Sequence, residues 1–232
     1  MPCLYKFCLF FIPGLLIAST HVSAQMMSAS KLADGLSGAA TLIEQKDTSN
    51  SALINDLRVQ VHKLSDHLLD NSDKIDTVYL KLLNRYYIIL DSIAHTDMRD
   101  PKNLMVLQDV LADFRLKNAT PGAWQIAETN FKYTTPVEVV TRQLLANGQF
   151  QTVNGYRIYA NPWVDRNKKP AKINFQNSTN PGSADDIPPG RYYIWATSIS
   201  GKEKEYPVRI DFTDIPYAAG GKQQTIFIDI TQ

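Results

Sequence analysis

Cysteine is nearly missing. The 232 residues hold two, Cys3 and Cys8, both at the extreme N-terminus. Beyond them the chain has no thiol nucleophile, no cysteine metal ligand and no disulfide, so its stability has to come from buried apolar surface. Helix breakers are scarce from Ser28 to Lys117, where the only glycines are Gly35 and Gly38 and the only proline is Pro101. A charge excess is lacking too: 24 Lys and Arg face 23 Asp and Glu, a formal net charge of +1. Without a basic excess the chain is not expected to bind nucleic acid or an anionic membrane surface. Gly-x-Ser-x-Gly is absent, and so is an EF-type calcium loop, which removes the simplest serine-hydrolase and calcium-site readings.

The chain opens with a single positive charge at Lys6, an apolar run from Phe7 to Ala18, and the small residues of Val22-Ser23-Ala24. This is the pattern of a secretory leader, residues 1–24, cut after Ala24. The run is shorter than the roughly 20 apolar residues that span a bilayer. A secreted or periplasmic protein with no stable membrane span after leader cleavage is expected.

From residue 25 to 117 apolar residues recur at helical spacing. Leu32, Leu36, Ala39 and Ile43 form one stripe. Ile54, Leu57, Val61, Leu64 and Leu68 step by three and four, and Ile75, Val78, Leu82 and Ile89 continue the phase. Leu104, Leu107, Leu111 and Phe114 make the last stripe, opened by Asp100 as N-cap and Pro101 at the first helical position. Asp70-Asn71-Ser72-Asp73 favours a turn, which splits residues 51–95 into two helices. The unbroken heptad phase is the reason to keep a coiled-coil rod, and with it an oligomer, as the alternative. Residues 80–90 are apolar nearly all round, so this helix is expected at the centre of an antiparallel bundle of three or four helices. His62 and Asp66 share a face, yet no third ligand converges on them, and the expectation is a solvated contact with no metal and no cofactor.

A joint at residues 118–136 carries Trp124, Ile126, Phe131 and Tyr133 between turn residues, too apolar for a free linker. Asn118-Ala119-Thr120 and Asn177-Ser178-Thr179 match the glycosylation acceptor pattern, a short and unspecific signal. From 137 to 232 the pattern changes to period two, broken by turn signals, which predicts a β-sandwich. Strands are expected at Val137–Leu145, Gly155–Ala160, Lys172–Phe175, Arg191–Ser198, Tyr206–Phe212 and Thr225–Ile230, with a polar loop over Asn177–Asp186. The predicted class is therefore α+β, a helical bundle followed by a β-sandwich.

Ile187-Pro188-Pro189-Gly190 reads as a tight turn feeding a strand with rings on both sides. If Tyr156, Ile158, Ala160, Tyr192, Ile194, Ala196, Val208, Ile210, Ile226, Ile228 and Ile230 face the core, then Arg157, Tyr159, Tyr193, Trp195, Arg209, Asp211, Phe227 and Asp229 face away from it. Tyr156-x-Ile158-x-Ala160 followed by Ile187-Pro188-Pro189-Gly190-x-Tyr192-x-Ile194-x-Ala196 resembles the prealbumin-like or carboxypeptidase-regulatory-like β-sandwich modules of exported proteins. The resemblance covers about residues 150–212 and implies a non-catalytic binding or scaffolding module.

Tyr159, Trp163, Tyr193, Trp195 and Phe227 are the candidate binding residues, for a protein or glycan partner in the envelope or outside the cell. The plainer expectation is that the bundle simply lies on these rings, and that Trp163 is a packing plug. A hydrolase is the other alternative. Asp165, Asp185, Asp186, Glu203 and Glu205 are the carboxylates it would draw on, with no spacing that singles out a pair.

Overall fold

The computed structural model describes residues 27–46, 50–73, 75, 77–119, 134–166, 173–175, 183–199, 212–218 and 220–230. The leader, most of the joint, the expected strand at 206–211 with Val208 and Ile210, and the acceptor pattern at 177–179 lie outside the described residues. The fold is α+β: among the described residues, four helices in the N-terminal half precede sheets in the C-terminal half.

Helices α1 (Ala29–Lys46), α2 (Ser51–Asp70), α3 (Thr77–Ala94) and α4 (Pro101–Asn118) follow the apolar stripes. The turn at residues 71–73 divides α2 from α3. Those two helices both neighbour α1. Leu32, Leu36, Ile43, Leu57, Leu64, Leu68, Leu83, Tyr86 and Leu90 are fully buried in one cluster. Each buried Leu contributes about 2 kcal/mol. The α2 part of the rod seam, Ile54, Leu57, Val61, Leu64 and Leu68, is buried in that cluster, whereas Ile75, Leu82 and Ile89 only pack against it, because α3 turns Tyr79, Leu83, Tyr86 and Leu90 into the core instead. At Gly35 an added Cβ would lie 2.9 Å from the Tyr87 ring, so α1 and α3 approach where the side chain is missing.

Helix α4 starts as its sequence dictates: the Asp100 side chain accepts from the Lys102 amide at 2.9 Å, and Pro101 occupies the first turn. It is flanked on both sides. Leu107, Val110, Leu111 and Phe114 enter the bundle core, while Asp109, Asp113 and Lys117 are buried as well. Those three polar residues recur every fourth position and share a face of their own.

One sheet has β1 (Thr135–Leu144) at its centre, flanked by β2 (Phe150–Thr152) and β5 (Ser183–Ile187) through antiparallel pairing and by β8 (Gln224–Asp229) through parallel pairing. The other has the order β4 (Ile173–Asn174), β3 (Tyr156–Pro162), β6 (Gly190–Ser198) and β7 (Thr213–Ile215), all antiparallel. Val137, Val139, Ile187, Ile226 and Ile228 of the first sheet share one buried cluster with Ile158, Ala160, Ile194, Ala196 and Ile215 of the second. Every described residue assigned to the core face belongs to that cluster or packs against it. β5 departs from expectation: Ser183–Asp186 is strand, paired with Thr135–Val139, where a polar loop was read. Main-chain pairing with β1 and the buried side chain of Ile187 hold it.

Candidate functional site

The five candidate residues fall in three places. Tyr159 and Trp195 are partners across β3 and β6, and their rings stack at 5.6 Å with 24° between planes. Tyr193 stacks on Trp195 at 5.2 Å and 25°. Nearly parallel rings this close overlap in a staggered pile, because coplanar rings would collide edge to edge. All three are half-buried, and each gives part of a ring face to its neighbour. The row continues through Phe212, 5.9 Å from Tyr193, to Trp163, 6.4 Å from Phe212.

Trp163 opens the 3₁₀ turn Trp163–Asp165 and is 1% exposed within the helical core cluster. It is a plug, as the plainer expectation had it. The bundle therefore covers the Trp163 end of the aromatic row, while Tyr159, Tyr193 and Trp195 are half-buried.

Phe227 lies elsewhere. It belongs to β8, in the other sheet, and its outward neighbour is Arg142, which also lies over Phe150. The Arg142 guanidinium sits 3.8 Å from the Phe150 ring centre and 4.5 Å from that of Phe227, with its Nε donating to Asp229 at 2.6 Å. Leu144, the cross-strand partner of Phe150, completes the group. Leu144, Phe150 and Phe227 are 58%, 51% and 50% exposed. Such a knot of exposed apolar side chains around an arginine is unusual on solvent-facing β-sheet.

The third place is the junction, where α4 meets β6, β7 and the 3₁₀ turn. Asp113 lies at its centre, fully buried. Its carboxylate accepts from the Tyr86 hydroxyl, from Lys117 Nζ at 2.6 Å and from the Arg191 backbone amide at 2.7 Å. Burial pushes the Tyr86 hydroxyl well above its ordinary range, and the adjacent Asp113 charge adds to this. Tyr86 therefore stays a neutral donor. Asp109, one turn earlier, accepts from the Trp163 indole at 3.1 Å and pairs with Arg191 Nη2 at 3.1 Å. Arg191 also reaches Asp214 at 3.1 Å, Arg166 covers the Trp163 ring at 4.5 Å, and Arg85 of α3 pairs with Asp165.

Gly190 closes the junction from the β side. An added Cβ would lie 2.8 Å from both Asp113 Oδ1 and Lys117 Nζ. This explains the glycine after the two prolines: the turn must bring bare backbone against a carboxylate. Three donors leave the Asp113 carboxylate fully engaged, while Arg191 Nε is buried with no hydrogen-bond partner among the described residues. The arrangement suits a fixed joint rather than a reacting centre.

Burial raises the Asp109 pKa above its ordinary 3.8, with Arg191 opposing the shift. The folded chain thus binds a proton here more readily than the unfolded chain does. The stability this confers is complete below 3.8 and is lost as pH rises through the raised value. In urea unfolding from pH 7 down to pH 4, wild type should gain stability relative to Asp109→Asn, which cannot titrate. A difference that is flat, or that moves the other way, contradicts the sign.

Sequence reading missed Asp109, Asp113 and Lys117 because charges four apart on a helix ordinarily mark a solvated face. The signal that was present was a second face of regular spacing opposite the apolar stripe. It missed the Phe150 group because β2 is too short to show alternation. His62 and Asp66 are 3.5 Å apart and exposed, a surface contact. Among the described residues no group of three or more His, Cys, Asp or Glu is placed to hold a metal ion. Asp165 is tied to Arg85; Glu203, Glu205 and the Asp185 side chain lie outside the described residues. Asn118 donates its amide to Gln60 at 3.0 Å and 2.9 Å, so the asparagine of the first acceptor pattern is tied to α2; Thr120 lies outside the described residues. Comparison with protein-family models, curated proteins and solved structures gives no match.

Proposed function

We propose that this is an exported, non-catalytic binding or scaffolding protein that meets a protein partner through the outer face of the β2-β1-β8 sheet. One observation carries the reading: Leu144, Phe150 and Phe227 stand half or more exposed around Arg142 on a single face. Aromatics and arginine at the centre of a patch, with charges such as Asp229 and Glu138 at its margin, are the composition of protein-binding surfaces. A protein is favoured over a glycan because the half-buried Tyr159, Tyr193 and Trp195 spend ring faces on one another, which leaves less ring face for a sugar to stack on. The leader-like N-terminus and the resemblance of residues 150–212 to exported binding modules agree with this reading.

Two variants test it. Phe227→Ser should change the unfolding free energy by no more than about 0.5–1 kcal/mol, as expected for an exposed side chain. A photo-crosslinking residue at position 150, in the native host, should give one discrete protein adduct that Phe227→Ser abolishes. The same residue at exposed Glu44 on α1 should give none. Equal adducts at both positions, or none at position 150, would overturn the proposal.

A further inference from the structure

We infer that Asp113 and Gly190 form a lock through which the helical and β parts unfold as one cooperative unit. The argument begins with who owns Trp163. Its sequence position is in the β part, between β3 and β4, yet its side chain completes the helical core. Separating the parts would expose the indole and leave a cavity among α3 and α4, so neither part buries its full apolar surface alone.

The polar contacts supply orientation. Trp163 Nε1 and Arg191 Nη2 meet Asp109, and the Arg191 amide meets Asp113. All three donors belong to the β part, and both carboxylates belong to α4. Such buried ionic groups contribute little net stability, but they tolerate very few geometries. The bare Cα of Gly190 is what lets the strand approach the Asp113 carboxylate to hydrogen-bond distance. With the carboxylate neutralised, or the approach blocked, Trp163 loses its register on α4 and the two parts melt separately.

Hydrogen exchange read by mass spectrometry along a thermal ramp tests this, using peptides from α1 and from β8, both remote from the junction. In the full chain the two peptides should lose protection at the same midpoint. Asp113→Asn should separate the midpoints by about 5 °C or more, the shift that about 1 kcal/mol makes in a domain of this size. If Asp113→Asn does not fold, Gly190→Ala, which blocks the approach of β6 to Asp113, serves the same purpose. Separate midpoints in the wild type overturn the inference. So does a variant in which both peptides shift together.

Discussion

Gly190→Ala should lower the free energy of the first unfolding transition by about 2–3 kcal/mol, the cost of forcing one methyl into a filled site. The new Cβ would meet Asp113 Oδ1 and Lys117 Nζ at 2.8 Å. Both atoms are side-chain ends, which on a surface would swing away at little cost. Here they are held to one another, to Tyr86 and to the Arg191 amide, and they are buried. Moving either breaks a charge-assisted bond. Gly148 and Gly155 provide the control. Both have positive φ, at 79° and 93°, and neither has anything within 4 Å of an added Cβ. Alanine there pays the backbone cost alone, about 1 kcal/mol. Urea unfolding of the three variants separates collision from conformation.

Asp113→Ala should be worse, at about 3–5 kcal/mol. It strips the acceptor from three donors at once: a neutral phenol, an ammonium group and a main-chain amide. The ammonium matters most, because Lys117 is left with its charge buried and its partner gone. Asp113→Ala combined with Lys117→Met should therefore recover a substantial part of the loss, since an uncharged pair leaves no orphaned ion. If the double variant is as unstable as the sum of the two single variants, the buried charge is not the dominant cost.

Much of the fold was legible because periodicity reports burial. The stripes Leu32–Ile43, Ile54–Leu68 and Leu104–Phe114 all enter the helical core. The alternation in 156–160, 192–196 and 226–230 separated inner from outer side chains. What periodicity cannot report is which of two buried faces a polar residue serves. Asp109, Asp113 and Lys117 do not stand out in the sequence because their partners, Gly190, Arg191 and Trp163, lie 50 or more residues downstream. Ser183–Asp186 was invisible as a strand for a related reason, since its pairing is made by the main chain. The outward rings were identified correctly as outward, but alternation says nothing about which sheet a strand joins. Phe227 thereby went to a different face from Tyr193 and Trp195.

The central claim is that the end of β6 is pinned to α4 through the Arg191 amide. Backbone hydrogen exchange at that single amide is the most direct measurement. Exchange as slow as that of core strand residues such as Ile194, accelerated at least tenfold by Asp113→Ala at a temperature where the variant is still folded, is the predicted result. An Arg191 amide that exchanges freely in the wild type, or that is equally slow without Asp113, would contradict it.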